Sequence, residues 1–529
     1  MLSDLDNTGD LGFMPSGRGY IVRRKAGIVL IYAPDGFGKT SVLLQYAQEV
    51  KSDQTRESVR IIEADHAIGR EVFVQLEVVA EELKDKPRSL IAIDNVPNFN
   101  RDETEELIDK MRGLRASGIG VLVTCRPSNR LLIHGLGDSV KVNAQMLKVH
   151  AYEYSSWAEA FSISTSLDFY HLTQGVPELV SALQVGLYGQ DDTSRLLENE
   201  IVNVCGAALA DLASLESNTL FNVACLMLLM GEGTIAELEA CGVRLSMIDQ
   251  SYLVRDYPLF GVDPTDRTFT CLGMEENARL RMRKLIAGLR PDLVQRAARI
   301  LIKAGRCDPA MDLVDAFLDR GVVLELAAQY GVDLVLTGHG GDICRAALEK
   351  TTDDQQRREP TAAEALGVYM AAVSVSNIKL ARYMASVIER DGERAACELD
   401  PLAWEVAQAL TIACYGGNGL GLPTTVFFSE HAAHNDALDM LSAHIEIKRR
   451  LTEHADGGEV IAAVEARKAY DCEIDVAGIF VKMDRMLLEI FDGSFSEIDG
   501  RDDAMTAAVA ALESHGLQAL AIWTRMVLA

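Results

Sequence analysis

Short apolar runs alternate with stretches of helical apolar spacing over the first 150 residues. Ile28 to Tyr32 (IVLIY) is a continuous apolar run of strand length, followed by a glycine-containing loop and, by Leu44, the start of a helix. Ser58 to Ala64 (SVRIIEA) is short and β-branched, and Glu71 to Leu83 carries apolar residues at helical spacing. Ser89 to Asp94 (SLIAID) and Gly120 to Thr124 (GVLVT) are strand-like again, and Ser139 to Val142 ends the series. Strands separated in this way by helices predict a parallel sheet, whose apolar strands are buried on both faces and whose ligands lie beyond the strands' carboxyl ends.

The rhythm changes after this block. Tyr152 to about Cys205 is amphipathic and helical, as a lid over the sheet's edge would be. From about Ala207 to Leu285 the expected order is a helix through Phe221 to Met230, a short helix over Ile235 to Ala240, and two strand-like segments, Ser251 to Asp256 and Arg267 to Cys271. That is the helix-helix-hairpin order of a degenerate winged helix. From Asp292 onward no sustained strand signal remains. Helical pairs follow: Leu293 to Ala304 with Pro309 to Leu318 about Gly305, Ala362 to Val375 with Ile378 to Arg390, then Leu402 to Cys414 and further helices to Leu528. Their inexact period of roughly 35–40 residues predicts a tetratricopeptide-like superhelical arm with an extended concave surface for a ligand or protein.

Composition agrees with helices and narrows the partners. At 529 residues the chain exceeds a single core. Hydrophobic content of 48% with only 6% aromatics predicts alanine-mediated close helix contacts. A formal charge of −27 argues against a chain that coats nucleic acid or an anionic membrane, because the phosphate term is repulsive overall. The ten cysteines lie singly, with no CxxC, as small free hydrophobes do in a reducing cytoplasm. The start, MLSDLDNTGD, has neither a basic nor an apolar leader region, and the apolar run Phe221 to Met230 is far shorter than a membrane span. A cytoplasmic chain without a membrane partner is expected.

The loop after the first strand carries the chemistry. Ala33, Pro34, Asp35, Gly36, Phe37, Gly38, Lys39, Thr40 and Ser41 (APDGFGKTS) hold the spacing of a Walker A loop, with Ala33 where the strict pattern has glycine. Successive backbone N–H groups and a helix N-terminus favour phosphate there. Lys39 would neutralise β/γ-phosphates and Thr40 would hold Mg²⁺, so ATP or ADP is the expected cofactor. Asp94, at the end of an apolar strand, is the second Mg²⁺ ligand candidate. Asn95 follows where many P-loop ATPases carry an acid, and an amide orients water but cannot take its proton. Glu103, Glu105 and Glu106 read as a solvated helix face. Arg126, past the strand Gly120 to Thr124, is placed to read a terminal phosphate bidentately, the alternative being a surface ion pair. Catalytic roles, if any, fall to Lys39 and Arg126.

Other features carry less. Arg279, Arg283 and Arg290 share a helical face and read as a solvated face or lid contact. Glu430, His431, His434 and His444 lack an HExxH pattern, and Gly416 to Pro423 lacks the strand and lysine of a second phosphate loop. Trp157, Trp404 and Trp523 read as core anchors.

The order APDGFGKTS, LIAIDN, VLVTCRPS, then TQGVPELV at Thr173 to Val180, resembles the STAND class of signal-transduction P-loop ATPases, and specifically its MalT-like branch of LuxR-type bacterial regulators. The resemblance implies a sensor role for Arg126 and a lid element, Gly175, Val176 and Pro177, packed on the nucleotide base. It also implies four domains: a P-loop domain over 1–150, a lid over 151–205, a winged helix over 206–288 and a repeat arm over 289–529. Departures are equally specific. The hairpin end CLGM, Cys271 to Met274, lacks the family's histidine, and Asp502 to Ala529 reads as another repeat pair instead of a basic helix-turn-helix domain. The expected protein is an ATP/ADP-dependent switch with slow hydrolysis, or else a non-hydrolysing scaffold; a motor of the AAA type is disfavoured for want of an arginine finger. An inducer or protein would bind the arm, nucleotide-dependent self-association would follow, and DNA would be reached only through a missing or partner domain.

Overall fold

A computed structural model describes residues 27–52, 58–64, 70–160, 170, 172–189, 193–272, 276–317, 320–348 and 359–415, with isolated positions between 506 and 525. Two compact units divide the chain, residues 1–297 and 298–529.

The first unit begins with β1 (Ile28–Tyr32), α1 (Lys39–Ser52), β2 (Val59–Glu63), α2 (Glu71–Glu82), β3 (Leu90–Val96), α3 (Arg101–Ala116), β4 (Gly120–Cys125), α4 (Arg130–Gly135) and β5 (Val140–Val142). The five strands form one sheet in the order β2-β3-β4-β1-β5, every pair parallel. Leu30, Ile62, Ile91, Ile93, Val121 and Val123 are buried, and Val72, Phe73, Leu76, Leu107 and Met111 of α2 and α3 join the same core. With both faces covered, the strands' continuous apolar character is accounted for. What remains for chemistry is the carboxyl edge, where Tyr32 pairs in register with Cys125, and Glu63 with Asp94.

Local signals set the helix starts. Asn100 caps α3, accepting from the Glu103 N–H at 2.9 Å while Glu103 accepts from the Asn100 N–H at 3.3 Å. Glu105 pairs with Arg101 at 3.0 Å and Glu106 with Arg70 at 2.7 Å, so the three acids read as a solvated face are engaged in a cap and ion pairs.

The helices α5 (Ala144–Leu147), α6 (Ala151–Ala160), α7 (Pro177–Gly189) and α8 (Thr193–Ala213) follow. α8 runs unbroken through residue 205, where the sequence placed a lid boundary. Next come α9 (Thr219–Met230), β6 (Glu232–Thr234), α10 (Ile235–Ala240), α11 (Met247–Asp256), β7 (Phe260–Asp263), β8 (Thr268–Cys271) and α12 (Glu276–Leu289). β8 lies between β6 and β7 in an antiparallel sheet.

One expectation fails here: Ser251 to Asp256 is helical, not a strand. A capping box at Ser246, whose side chain accepts from the Asp249 N–H while Asp249 accepts from the Ser246 N–H, starts α11 five residues before Ser251 and overrides the local strand character. The hairpin's first strand is instead β7, which lies between the two segments expected to be strands.

α13 (Pro291–Lys303) crosses the division between the units. The described part of the second unit continues with α14 (Cys307–Phe317), α15 (Arg320–Leu336), α16 (Gly340–Leu348), α17 (Ala362–Ser374), α18 (Ile378–Glu398) and α19 (Pro401–Tyr415), with no strand among its described residues. α15 kinks at Tyr330. α15 and α17 touch backbone to backbone: a Cβ on Gly367 would lie 2.3 Å from the Ala327 carbonyl oxygen, so only glycine fits there. The Tyr369 hydroxyl of α17 bonds the Thr411 hydroxyl of α19 at 2.8 Å. Trp404 is half-buried. Gly416 to Pro423, Glu430, His431, His434, His444, Trp523 and the Trp157 side chain lie outside the described residues, as does most of Asp502 to Ala529.

Candidate functional site

The loop between β1 and α1 takes its shape from two left-handed glycines, Gly36 at φ +86° and Gly38 at φ +71°. At Gly36 a second constraint applies: a Cβ there would meet Val204 Cγ2 at 2.7 Å, because α8 packs against the loop. The Gly36 carbonyl accepts from the Glu178 N–H at 3.0 Å, which places the start of α7, with Val176 and Pro177 buried beside it, against the loop. Ala33 is fully buried and its N–H donates to the Cys125 carbonyl at 3.3 Å, so the first loop position is packed between strand ends. α1 starts at Lys39. The N–H groups of its first turn have no partner within the helix and favour an anion.

Across the strand edge the sheet brings Asp94 to Thr40. The Thr40 hydroxyl donates to Asp94 Oδ2 at 2.8 Å, although 54 positions separate them and β4 lies between their strands. Thr124, buried on β4, donates to Asp94 Oδ1 at 2.5 Å and accepts from the Asn95 N–H at 2.8 Å. Asn95 itself is left-handed, at φ +53°, where the β3–β4 register shifts. Asparagine tolerates that conformation better than most residues. The hydroxyl of Thr40 and the carboxylate of Asp94 thus form an adjacent pair of hard oxygen donors, which suits Mg²⁺ far better than a softer metal. Among the described residues no group of three or more His, Cys, Asp or Glu gathers as a metal cluster.

Both cations of the site converge on one loop carboxylate. The Lys39 ammonium donates to Asp35 Oδ1 and to the Pro34 carbonyl, each at 3.1 Å, while Arg126 grips Asp35 with Nη2 to Oδ2 at 2.8 Å and Nε to Oδ1 at 3.4 Å. Burial pushes the Asp35 carboxyl upward, but Lys39 and then Arg126 outweigh it and hold the group below its ordinary value. Lys39 is almost wholly buried, 4% exposed, whereas Asp35 and Arg126 stand 42% and 53% exposed.

The residues after Arg126 are fastened to the helices that follow the sheet. Ser128 donates from its hydroxyl at 2.5 Å and its N–H at 3.3 Å to the buried Asp211 carboxylate of α8. The buried Tyr257 hydroxyl donates to the same carboxylate at 2.5 Å. On α11 the Tyr252 hydroxyl donates to the Pro127 carbonyl at 2.8 Å, and Arg130 lies over the Tyr252 ring, 4.5 Å from its centroid. Arg255 forks onto Asp256 with two bonds of 2.7 Å; burial and then Asp256 push the Tyr32 hydroxyl up to about 12.

The structure therefore brings together Lys39, Thr40, Asp94, Arg126, Asp35 and the segment at Pro177. Thr124, Ser128, Asp211, Tyr252 and Tyr257 were missed by sequence reasoning. Thr124 could have been found as a lone hydroxyl closing an apolar strand, and Asp211 as a lone acid on the alanine- and leucine-rich stretch CGAALADLA. Of the three arginines, Arg283 donates to the Leu229 carbonyl of α9 at 3.3 Å, and Arg290, just past the end of α12, forks onto Asp292 at 2.8 Å. The eight described cysteines are free thiols, seven of them buried, and burial pushes Cys125, Cys205, Cys225 and Cys344 up to about 12. No described helix is long and apolar enough to cross a membrane.

No family model and no curated protein matches the chain. Solved structures do. A replication initiator DnaA bound to AMPPCP and single-stranded DNA is 12% identical over 55% of this chain and 92% of its own, with a TM-score of 0.27. A Thermotoga maritima RuvB variant is 14% identical over 53% of this chain and 95% of its own, with a TM-score of 0.27. A DNA replication initiation factor is 13% identical over 72% of this chain and 91% of its own, with a TM-score of 0.22. The assignment of an α/β P-loop NTPase fold rests on the strand order, the left-handed loop and the end-of-strand carboxylate described above.

Proposed function

We propose that this chain is an ATP/ADP-binding switch, with Mg²⁺ as companion ion and slow hydrolysis, which regulates transcription or a partner protein through its helical arm. The observation that carries this reading is the convergence of Lys39, Thr40, Asp94 and Arg126 at one end of a parallel sheet, beside a loop turned by two left-handed glycines. Lys39 would neutralise the β/γ-phosphates, Thr40 and Asp94 would hold the ion, and Arg126 would read the terminal phosphate. Bound Mg²⁺ would supply charge neutralisation between phosphate oxygens. Pro177 and its neighbours would close on the base side. The bonds from Ser128 to Asp211 and from Tyr252 to Pro127 give the sensor segment a direct connection to the rest of the unit, which a switch requires.

The finer reading, a MalT-like STAND regulator, is supported by motif order and by a helix–strand–helix–helix–hairpin segment with β8 central, the element order of a winged helix. In that reading an inducer or protein binds the arm, the ATP form self-associates, and DNA is reached through a missing or partner domain.

Titration of the full chain with ATP and with ADP, beside Lys39→Ala, tests the proposal. Saturable binding lost in the variant is expected; a wild-type chain that binds neither nucleotide overturns it. Asn95 favours a second reading, a non-hydrolysing helical scaffold with a structural P-loop domain, because an amide cannot take the proton of an attacking water. Phosphate release that rises in Asn95→Asp supports the switch, and release that stays at the blank level supports the scaffold.

A further inference from the structure

We infer that Asp35 is a built-in competitor for the terminal phosphate: its carboxylate bridges Lys39 and Arg126 and must be displaced from both for a triphosphate to bind. The inference rests on the nucleotide-binding reading of the site and deepens it.

The geometry is that of an anion already seated between two cations. Asp35 is the third residue of the loop APDGFGKT, on the segment whose backbone faces the phosphates in any P-loop. One oxygen, Oδ1, takes the Lys39 ammonium at 3.1 Å; the other, Oδ2, takes Arg126 Nη2 at 2.8 Å. Lys39, at the start of α1, and Arg126, just past β4, lie 87 positions apart in the chain, and this one carboxylate bridges them. Gly36, left-handed and directly following, gives the segment a sharp turn at the point where Asp35 reaches back.

Displacement asks different things of different ligands. A diphosphate engages Lys39 and leaves the Arg126–Asp35 pair in place. A triphosphate offers Arg126 a second anion, so Arg126 must exchange carboxylate for phosphate, and a freed carboxylate close to the phosphate chain repels it. The exchange is feasible because the Arg126–Asp35 pair is half-exposed and therefore weak. Release of Arg126 would also relieve the segment that Asp211 and Tyr252 hold, so the exchange is where nucleotide identity would enter the fold.

The test measures ATP, ADP and pyrophosphate affinity by calorimetry on the full chain for wild type, Asp35→Asn and Asp35→Ser, each first shown by circular dichroism and melting to be folded. Both substitutions should tighten ATP by about tenfold and ADP by less than about threefold, and the ATP gain should shrink in an Arg126→Ala background. Wild type that binds ATP with affinity unchanged or weakened in both variants overturns the inference and leaves the nucleotide reading standing. Absence of binding to wild type and both variants overturns the two together.

Discussion

Thr124→Val is the sharpest test of how the sheet edge is held. Valine matches threonine in shape, so the fully buried site keeps its packing and no cavity opens. What is lost is the hydroxyl, and with it two bonds: the 2.5 Å donation to Asp94 Oδ1 and the 2.8 Å acceptance from the Asn95 N–H. The first is a bond to a carboxylate, about 1.5–3 kcal/mol, and the second leaves an N–H short of its partner beside a strained, left-handed residue, about 1–3 kcal/mol. Together they predict a loss of about 2.5–6 kcal/mol, a fall of roughly 4–10 °C in the melting of the first unit. Thr124→Ser keeps both bonds and drops one methyl, so it should cost only about 1 kcal/mol. Differential scanning calorimetry of the full chain, wild type against both variants, reads the contrast. A valine variant that melts no lower than the serine one would refute the claim that hydrogen bonding, and not packing, fixes Asp94.

Two further predictions follow from the same reasoning. Tyr257→Phe removes only the hydroxyl that donates to buried Asp211 and should destabilise the first unit by about 1.5–3 kcal/mol; coupling to Ser128→Ala in a double-mutant cycle checks that the two donors share one carboxylate. In the second unit His339 lies 3.2 Å from Asp342 and 3.0 Å from Asp308; burial lowers its proton affinity, but these carboxylates outweigh that and raise it above the ordinary 6.5. A raised folded-state value means that its stabilisation is fully present below about pH 6.5 and is lost as pH rises through the folded-state value, so melting scans from pH 5.5 to 8.5 should show a decline that His339→Gln flattens.

Legibility in the sequence followed the range of the interactions. Ile28 to Tyr32 is a strand with the expected ends, and Lys39 opens a helix, because an apolar run and a phosphate-loop spacing are local signals. Ser251 to Asp256 was misread because a cap five residues upstream, at Ser246, decided the matter. Lys39 and Thr40 were identifiable from the phosphate-loop spacing, and Asp94 and Arg126 as residue types toward strand ends. The pairing of Asp211 with Tyr257 and Ser128 was not, since no local pattern carries a sign of a partner more than 45 positions away.

Over the first 150 residues the sequence by itself determined which segments are strands, that they alternate with helices, and which residue types stand at their carboxyl ends, since periodicity and turn chemistry act over a few residues. Only the tertiary structure decided the strand order β2-β3-β4-β1-β5, which inserts β4 between the strands that carry the loop and Asp94. That insertion brings Thr124 and Arg126 into the site. It also sets Asp35 between Lys39 and Arg126, a contact that depends on the folded path of two separate strands and so has no signature in the local pattern.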